Sequence, residues 1–352
     1  MTKKTRYFLA GAAAILVAGI GVGLFAYYGL GRQAIFQPGL PDELRYVPQN
    51  AALVAYANVQ AVMNSDLRRE LDRAAGDGPR NRGEIHDVAG IDIETQVNHV
   101  VAYLEKGGGP WRQAPRGLML ASGTFEQSKI EQYIRDHGGT IEDYHGKHIA
   151  LHHEESMSMD GRPDRRGPDR DSDMAVGFLQ PNVVALGHVD LVRAVIDRNA
   201  ASSSANVTSN EELMRIIRDA SGETAWVVGH FDEVTSHMGL PPQVRQQVPP
   251  LRLVSAKAHI DGGVKATIRA ETEDDVSADQ MRDVVRGFVS LARMQGGGKP
   301  ELQDTLKSIE LAGSGKVVQV SFSMTPETFR QIVPSRGRRP EPPPFAPPAP
   351  PR

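Results

Sequence analysis

"LVAYANVQAV" at residues 53–62 lies over "AWVVGHFDEV" at residues 225–234 without a gap, apolar strand positions over apolar strand positions. Each copy opens a similar series of elements. After the first, Ala52 to Val59 reads as a strand and "MNSDLRRELDRA" as a helix that Asn64 or Ser65 can cap. "NHVVAYLE" and "GLMLASG" are two more strands, separated by the breaker-rich "KGGGPWRQAPR". A helix then runs through "TFEQSKIEQYIRDHGG", with a capping box at Thr124 and Gln127 and Ile130, Tyr133 and Ile134 on one face. "TIEDYHGKHIAL" is a hairpin turning at His145-Gly146, and strands "MAVGFLQ" and "NVVALGH" lead into the helix "VDLVRAVIDR".

The second copy opens the same plan. A strand pair from Leu251 precedes a helix with Met281, Val284, Val285, Phe288, Leu291 and Ala292 at helical spacing and a Ser277 to Gln280 capping box. "GKVVQVSFSMTPETFRQIV" echoes "NVVALGHVDLVRAVI", a strand running into a helix, with Thr325 as N-cap and Pro326 at the first helical position. The expected fold is therefore α+β, with two related halves at residues 45–200 and 211–333 joined by a linker at 201–210. Hairpin-sized gaps make most strands antiparallel. A duplication requires the same strand order in both halves.

The ends differ from this body. Lys3, Lys4 and Arg6 in a cytoplasmic tail, residues 1–6, precede the uncharged run Tyr7 to Leu30, long enough to cross a bilayer core of roughly 30 Å. The run is longer than the apolar region of a cleavable signal peptide, and no good small-residue cleavage site comes after it, so a retained anchor at 7–30 is expected. The charge asymmetry puts the N-terminus inside and the body outside, in the periplasm of a Gram-negative cell. Gly19 and Gly23 form a G-x-x-x-G pair that would suit a homodimer of such helices. Residues 31–44 read as a linker, and residues 334–352 as a disordered proline-rich tail, extended and open to a protein partner.

The segment "LPDELRYVPQNAALVAYANVQAVMNSDLRREL", with Pro48, Ala51, Ala55, Asn58 and Val59 in a P-x-x-A-x-x-x-A-x-x-N-V strand, resembles uncharacterised bacterial families of membrane-anchored extracytoplasmic proteins. The resemblance covers roughly residues 1 to 80 and the general architecture. It implies a location and a layout, and it transfers no catalytic residue.

Composition narrows the function classes. The chain has 352 residues, 40% of them hydrophobic, and a net charge of −3 without a basic run, so nucleic acid is not an expected partner. The absence of cysteine excludes disulfides, thiolate metal sites and a cysteine nucleophile. No G-x-S-x-G, H-E-x-x-H or S-x-x-K motif occurs. "GSGKVV" at 313–318 lacks the first glycine and the Ser or Thr of a phosphate loop and reads as a hairpin turn.

Histidines cluster at His137, His145, His148, His152 and His153, with Glu154 and Glu155 directly after them. On a strand His148 and His152 share a face about 13 Å apart, too far for one ion to reach both, and His148 falls opposite Asp143 in the hairpin. The candidate metal ligands are thus His148, His152, His153 and Glu154, with a solvated surface as the simpler reading. Asp169, Asp171 and Asp173 begin like a calcium loop, but Met174 stands at the glycine position and Gln180 at that of the bidentate glutamate. His230, Asp232, Ser236 and His237 have no spacing that assembles a nucleophile. Trp226 reads as a core anchor and Trp111 as a loop anchor.

The sequence thus points to an anchored extracytoplasmic binding or scaffold protein without a cofactor. The alternatives are an envelope hydrolase whose site converges only in three dimensions, and metal handling by the segment 137–173. A Ser, a His and a carboxylate within hydrogen-bond reach in a cleft would favour the hydrolase.

Overall fold

The computed structural model describes residues 39–75, 91, 93–105, 116–152, 174–200, 205–230, 249–296 and 300–332. The expected anchor with Gly19 and Gly23, the ligand candidates His153 and Glu154, the calcium-like aspartates, Trp111, Asp232, Ser236, His237 and the proline-rich tail all lie outside these residues. Among the described residues no helix is long and apolar enough to cross a membrane.

The strands are β1 (Leu53–Ala57), β2 (Val97–Leu104), β3 (Gly117–Gly123), β4 (Thr140–Tyr144), β5 (Lys147–His152), β6 (Met174–Gln180), β7 (Val183–His188), β8 (Ala225–His230), β9 (Leu251–Ile260), β10 (Val264–Thr272), β11 (Glu310–Ala312) and β12 (Val317–Met324). They form one antiparallel sheet in the order β11-β12-β10-β9-β8-β1-β2-β3-β7-β6-β5-β4. Outward from its centre, β1-β2-β3-β7-β6 and β8-β9-β10-β12-β11 repeat the same order. The central pair is symmetric in register too. Leu53 faces Gly229, Ala55 faces Val227 and Ala57 faces Ala225. In the ungapped alignment Ala55 corresponds to Val227, Leu53 to Ala225 and Ala57 to Gly229, so a local twofold axis passes between Ala55 and Val227.

Nine helices among the described residues cover the two faces: α1 (Val59–Asn64), α2 (Asp66–Ala75), α3 (Ile93–Gln96), α4 (Gln127–Asp136), α5 (Val189–Ala200), α6 (Glu211–Ala220), α7 (Asp275–Gly296), α8 (Pro300–Lys307) and α9 (Pro326–Ile332). The front face, with Val54, Val101, Leu120, Trp226 and Val228, is buried under α5, α6 and a 3₁₀ turn at Asp42–Tyr46. On the back face of the first half, Val100, Ala121, Phe178 and Val184 pack against Val62 and Met63 of α1 and Ile130 and Ile134 of α4.

Local chemistry explains the helix starts. Asn58 accepts from the Ala61 amide at 2.8 Å, Ser65 from Arg68 at 3.2 Å, and Asn210 from Leu213 at 3.1 Å. The expected Thr124–Gln127 capping box does not form. Helix α4 begins at Gln127 after Glu126, and Gln127 instead donates to Glu131 one turn on, at 2.7 Å. Nor does Ser277 cap α7: its amide donates to Asp274 at 2.7 Å. Thr325 accepts from the Thr328 amide at 3.4 Å ahead of Pro326, as its position suggests. In the β4–β5 turn His145 and Gly146 have φ of 53° and 72°, the pair of positive values a two-residue hairpin requires.

Two boundaries are more structured than linkers. Glu43 and Leu44 in the 3₁₀ turn are buried, and Val207 is fully buried with its amide on Val47 at 2.9 Å. At the far end of β3, a Cβ on Gly123 would stand 1.8 Å from the Gln96 carbonyl oxygen. Backbone cannot give way as a side chain would. Gly123→Ala is expected to destabilise by about 3 kcal/mol, read as a lower urea midpoint.

Candidate functional site: an apolar belt across the back face

One residue from each of the twelve strands lies in a single row on the back face, each hydrogen-bonded neighbour directly opposite the next. The row is Ile141, Ala150, Val176, Leu186, Met119, Ala102, Ala55, Val227, Ala256, Ile268, Val320 and Leu311. Directly paired residues of an antiparallel sheet share a face, so the row is a continuous apolar belt crossing the local twofold axis.

Its two ends differ from its middle. Ala150 and Val176 are buried in the first-half core. From Leu186 to Leu311 only Ala55 is buried; the rest are partly exposed. Ala102, Ala55, Val227, Ala256, Ile268 and Val320 belong to none of the apolar clusters of the core. The rows on either side of this middle in the second half are covered. Val254, Ala270 and Val318 pack under Ala278 and Met281 of α7, while Ala258, Ala266 and Phe322 pack with Phe329 of α9 and Leu67 of α2. The two covered rows are four residues apart along each strand, about 13 Å. Beyond Met281, Val285 packs against the same cluster together with Leu311 of β11, while Val284, Phe288, Leu291 and Ala292 of α7 are partly exposed.

The belt is therefore an apolar floor whose backbone groups are already paired in the sheet, with α7 packed against β10, β12 and β11 at its second-half end. Across nine strands this stretch, partly exposed except at the buried Ala55, runs about 38 Å.

Polar side chains converge on the front face. Glu43, in the 3₁₀ turn, accepts from His99 of β2 at 2.9 Å and from the Ser122 hydroxyl of β3. Burial alone would raise the Glu43 carboxyl, but the His99 contact, the charge on that ring and Ser122 hold it below the usual carboxylate range. Tyr56 lies between the His99 ring, at 5.7 Å, and the Trp226 indole, stacked at 5.6 Å. Burial pushes the Tyr56 phenol up to about 12, with the Glu43 charge acting in the same direction. Ser, His and carboxylate thus meet, but in the order Ser122–Glu43–His99. A nucleophile needs the histidine in the middle, so this cluster fastens the 3₁₀ turn to β2 and β3.

Of the histidines that cluster along the sequence, His137, His145 and His148 each meet a different partner. His148 does fall opposite Asp143, but its Nδ1 meets Glu131 of α4 at 2.7 Å. Against its partial burial, Gln127, His148 and Arg135 keep the Glu131 carboxyl low. His145 lies 3.5 Å from Asp197 of α5, and His137 meets the Tyr133 carbonyl at 2.7 Å. His152 ends β5. Among the described residues no three metal-binding side chains come together. On the second-half front face Arg215 of α6 grips Glu271 at 2.9 and 2.7 Å, and Arg269 adds a contact at 3.0 Å. These arginines outweigh partial burial and lower the Glu271 carboxyl.

The fold defines a class of open antiparallel sheet with helices on both faces. No family model matches the chain, and no curated protein matches it. Among solved structures it is similar to crystal form I of TP0453, at 10% identity and a TM-score of 0.42, over 85% of this chain and 98% of that one.

Proposed function

We propose that this chain is a membrane-anchored extracytoplasmic binding protein, built from two related halves, and that the apolar belt is its ligand-binding face. The observation that carries this reading is the middle of the belt, partly exposed except at Ala55, which joins no core cluster although covered apolar rows flank it. A chain that can bury Val54, Val101 and Val228 completely on the front face has no packing reason to leave Ile268 and Val320 partly bare on the back. The duplication is supported by the repeated strand order and by the symmetric register of β1 and β8. The anchor rests on Tyr7 to Leu30 and its flanking charges.

The test is a titration of the full-length chain in lipid nanodiscs with the uncharged fluorescent probe N-phenyl-1-naphthylamine, corrected with empty nanodiscs. Saturable binding is expected, with a loss of about tenfold in affinity when Ile268→Gln and Val320→Gln are combined, since both side chains are partly exposed and their replacement spares the fold. Unsaturable uptake, or binding indifferent to the double variant in a chain of unchanged circular dichroism, would defeat the reading.

A further inference from the structure

We infer that the outer face of α7 is an interface between two copies of this chain, each α7 packing antiparallel on the other across a twofold axis at Gly287. Ala278 is fully buried in the cluster beneath the helix. Gly287, nine residues on at roughly 100° per residue, lies on the opposite side. A Cβ there would meet nothing within 4 Å. On the same side Val276 is 67% and Met294 76% exposed, and Val284 and Leu291 are partly exposed. The lateral contacts of α7 lie elsewhere. Arg282 donates to the Gly315 and Val317 carbonyls at 2.7 and 3.0 Å, and Arg293 to that of Leu306 of α8 at 3.3 Å. Both arginines stand roughly 120–140° around the helix from Gly287.

Nothing within one copy calls for glycine at 287. Glycine weakens a helix interior relative to alanine. Its φ is not positive and no neighbour forbids a side chain. The use that remains is close approach of a second backbone. The face is also complementary to itself. Gln280, Val284, Gly287, Leu291 and Met294 follow at intervals of four, three, four and three residues, the seam of a two-helix coil. Antiparallel and centred on Gly287, this seam sets Gly287 on Gly287, Val284 on Leu291 and Gln280 on Met294. Along its edge the exposed Asp283, held by Arg286 of its own helix at 2.9 Å, comes beside Ser290 of the other copy, an acceptor beside a hydroxyl donor. Such self-complementarity is what a twofold contact requires. At about 21 Å the seam is short, which suits reversible association.

The cysteine-free chain makes the register testable. Full-length Asp283→Cys and Ser290→Cys chains would be mixed in detergent micelles and oxidised mildly with copper phenanthroline. In the antiparallel pair, positions 283 and 290 of opposite copies are offset by about 1.5 Å along the axis, whereas 283 to 283 and 290 to 290 are about 12 and 9 Å apart. The mixed disulfide is expected at least about tenfold above either self-disulfide. Adding Gly287→Arg to both chains should reduce it about tenfold at unchanged circular dichroism. Contact through Gly19 and Gly23 alone gives no such selectivity, so a statistical mixture of the three disulfides would overturn the α7 interface. Absence of all three, or a mixed disulfide that survives Gly287→Arg, would overturn it equally.

Discussion

Trp226→Ala is expected to destabilise the protein by about 3–5 kcal/mol, lowering the urea midpoint with little change in slope. Trp226 is buried on the front face of β8 and stacks on Tyr56 directly across the central strand pair. It also belongs to the cluster that packs α6, through Leu213, Met214 and Ile217, against the sheet. Truncation empties the space where the two halves meet, and neither backbone can close it without losing register. Trp226→Phe, which keeps a ring against Tyr56, should recover more than half of the loss. Equal losses for the two variants would show that the contact between the halves does not depend on that ring.

Glu43→Ala is expected to cost about 1–3 kcal/mol, because it leaves the buried Ser122 hydroxyl and one His99 nitrogen without their partner. It should also flatten the acid limb of the stability profile. The Glu43 carboxyl is held lower in the folded chain than in the unfolded one. Its stabilisation is therefore present above the unfolded carboxyl range and disappears as pH falls through the folded value. In the parent chain stability should decline across that acid window, and in Glu43→Ala it should decline less steeply. Parallel profiles measured by chemical denaturation at a series of acidic pH values would show that the contact adds nothing to folding.

Patterns carried by neighbouring residues are legible in the sequence, and those carried by neighbouring strands are not. The alignment of "LVAYANVQAV" with "AWVVGHFDEV" anticipates the symmetric register of β1 on β8, and His145-Gly146 anticipates the tight turn with positive φ. Helix α6 is absent from the sequence expectation, although Asn210 ahead of Leu213, Met214, Ile216, Ile217 and Ala220 is a capped helix with one apolar face. The Thr124 box fails because Gln127 finds a better partner within its own helix, in Glu131. Glu43 is hidden in what reads as a linker, 56 residues from the His99 it holds. The belt is beyond reach for a deeper reason. Ala55, Ala102, Val227, Ala256 and Ile268 are ordinary strand residues, and only the strand order, with β1 beside β8 and β9 beside β10, makes them one surface.

The two sides of the sheet differ in where their last helices pack. The helix after β7, α5, lies on the front face, whereas the helix after β12, α9, packs on the back. Where the first half places the hairpin β4–β5, the second half places α8. Moving α9 to the back leaves the second-half front face to Lys257, Thr267, Arg269 and Gln319, and it closes one flank of the belt without filling it.

The cysteine-free chain allows the most direct test of the open belt. A single cysteine at Ile268 of the full-length chain in nanodiscs would be reacted with a water-soluble maleimide, with a second variant at the fully buried Val228 as reference. Cysteine at position 268 is expected to react at least about tenfold faster than at 228 and to be protected by N-phenyl-1-naphthylamine. A cysteine at 268 as inert as that at 228, or one that reacts at the same rate with the probe present, would contradict a ligand-binding belt.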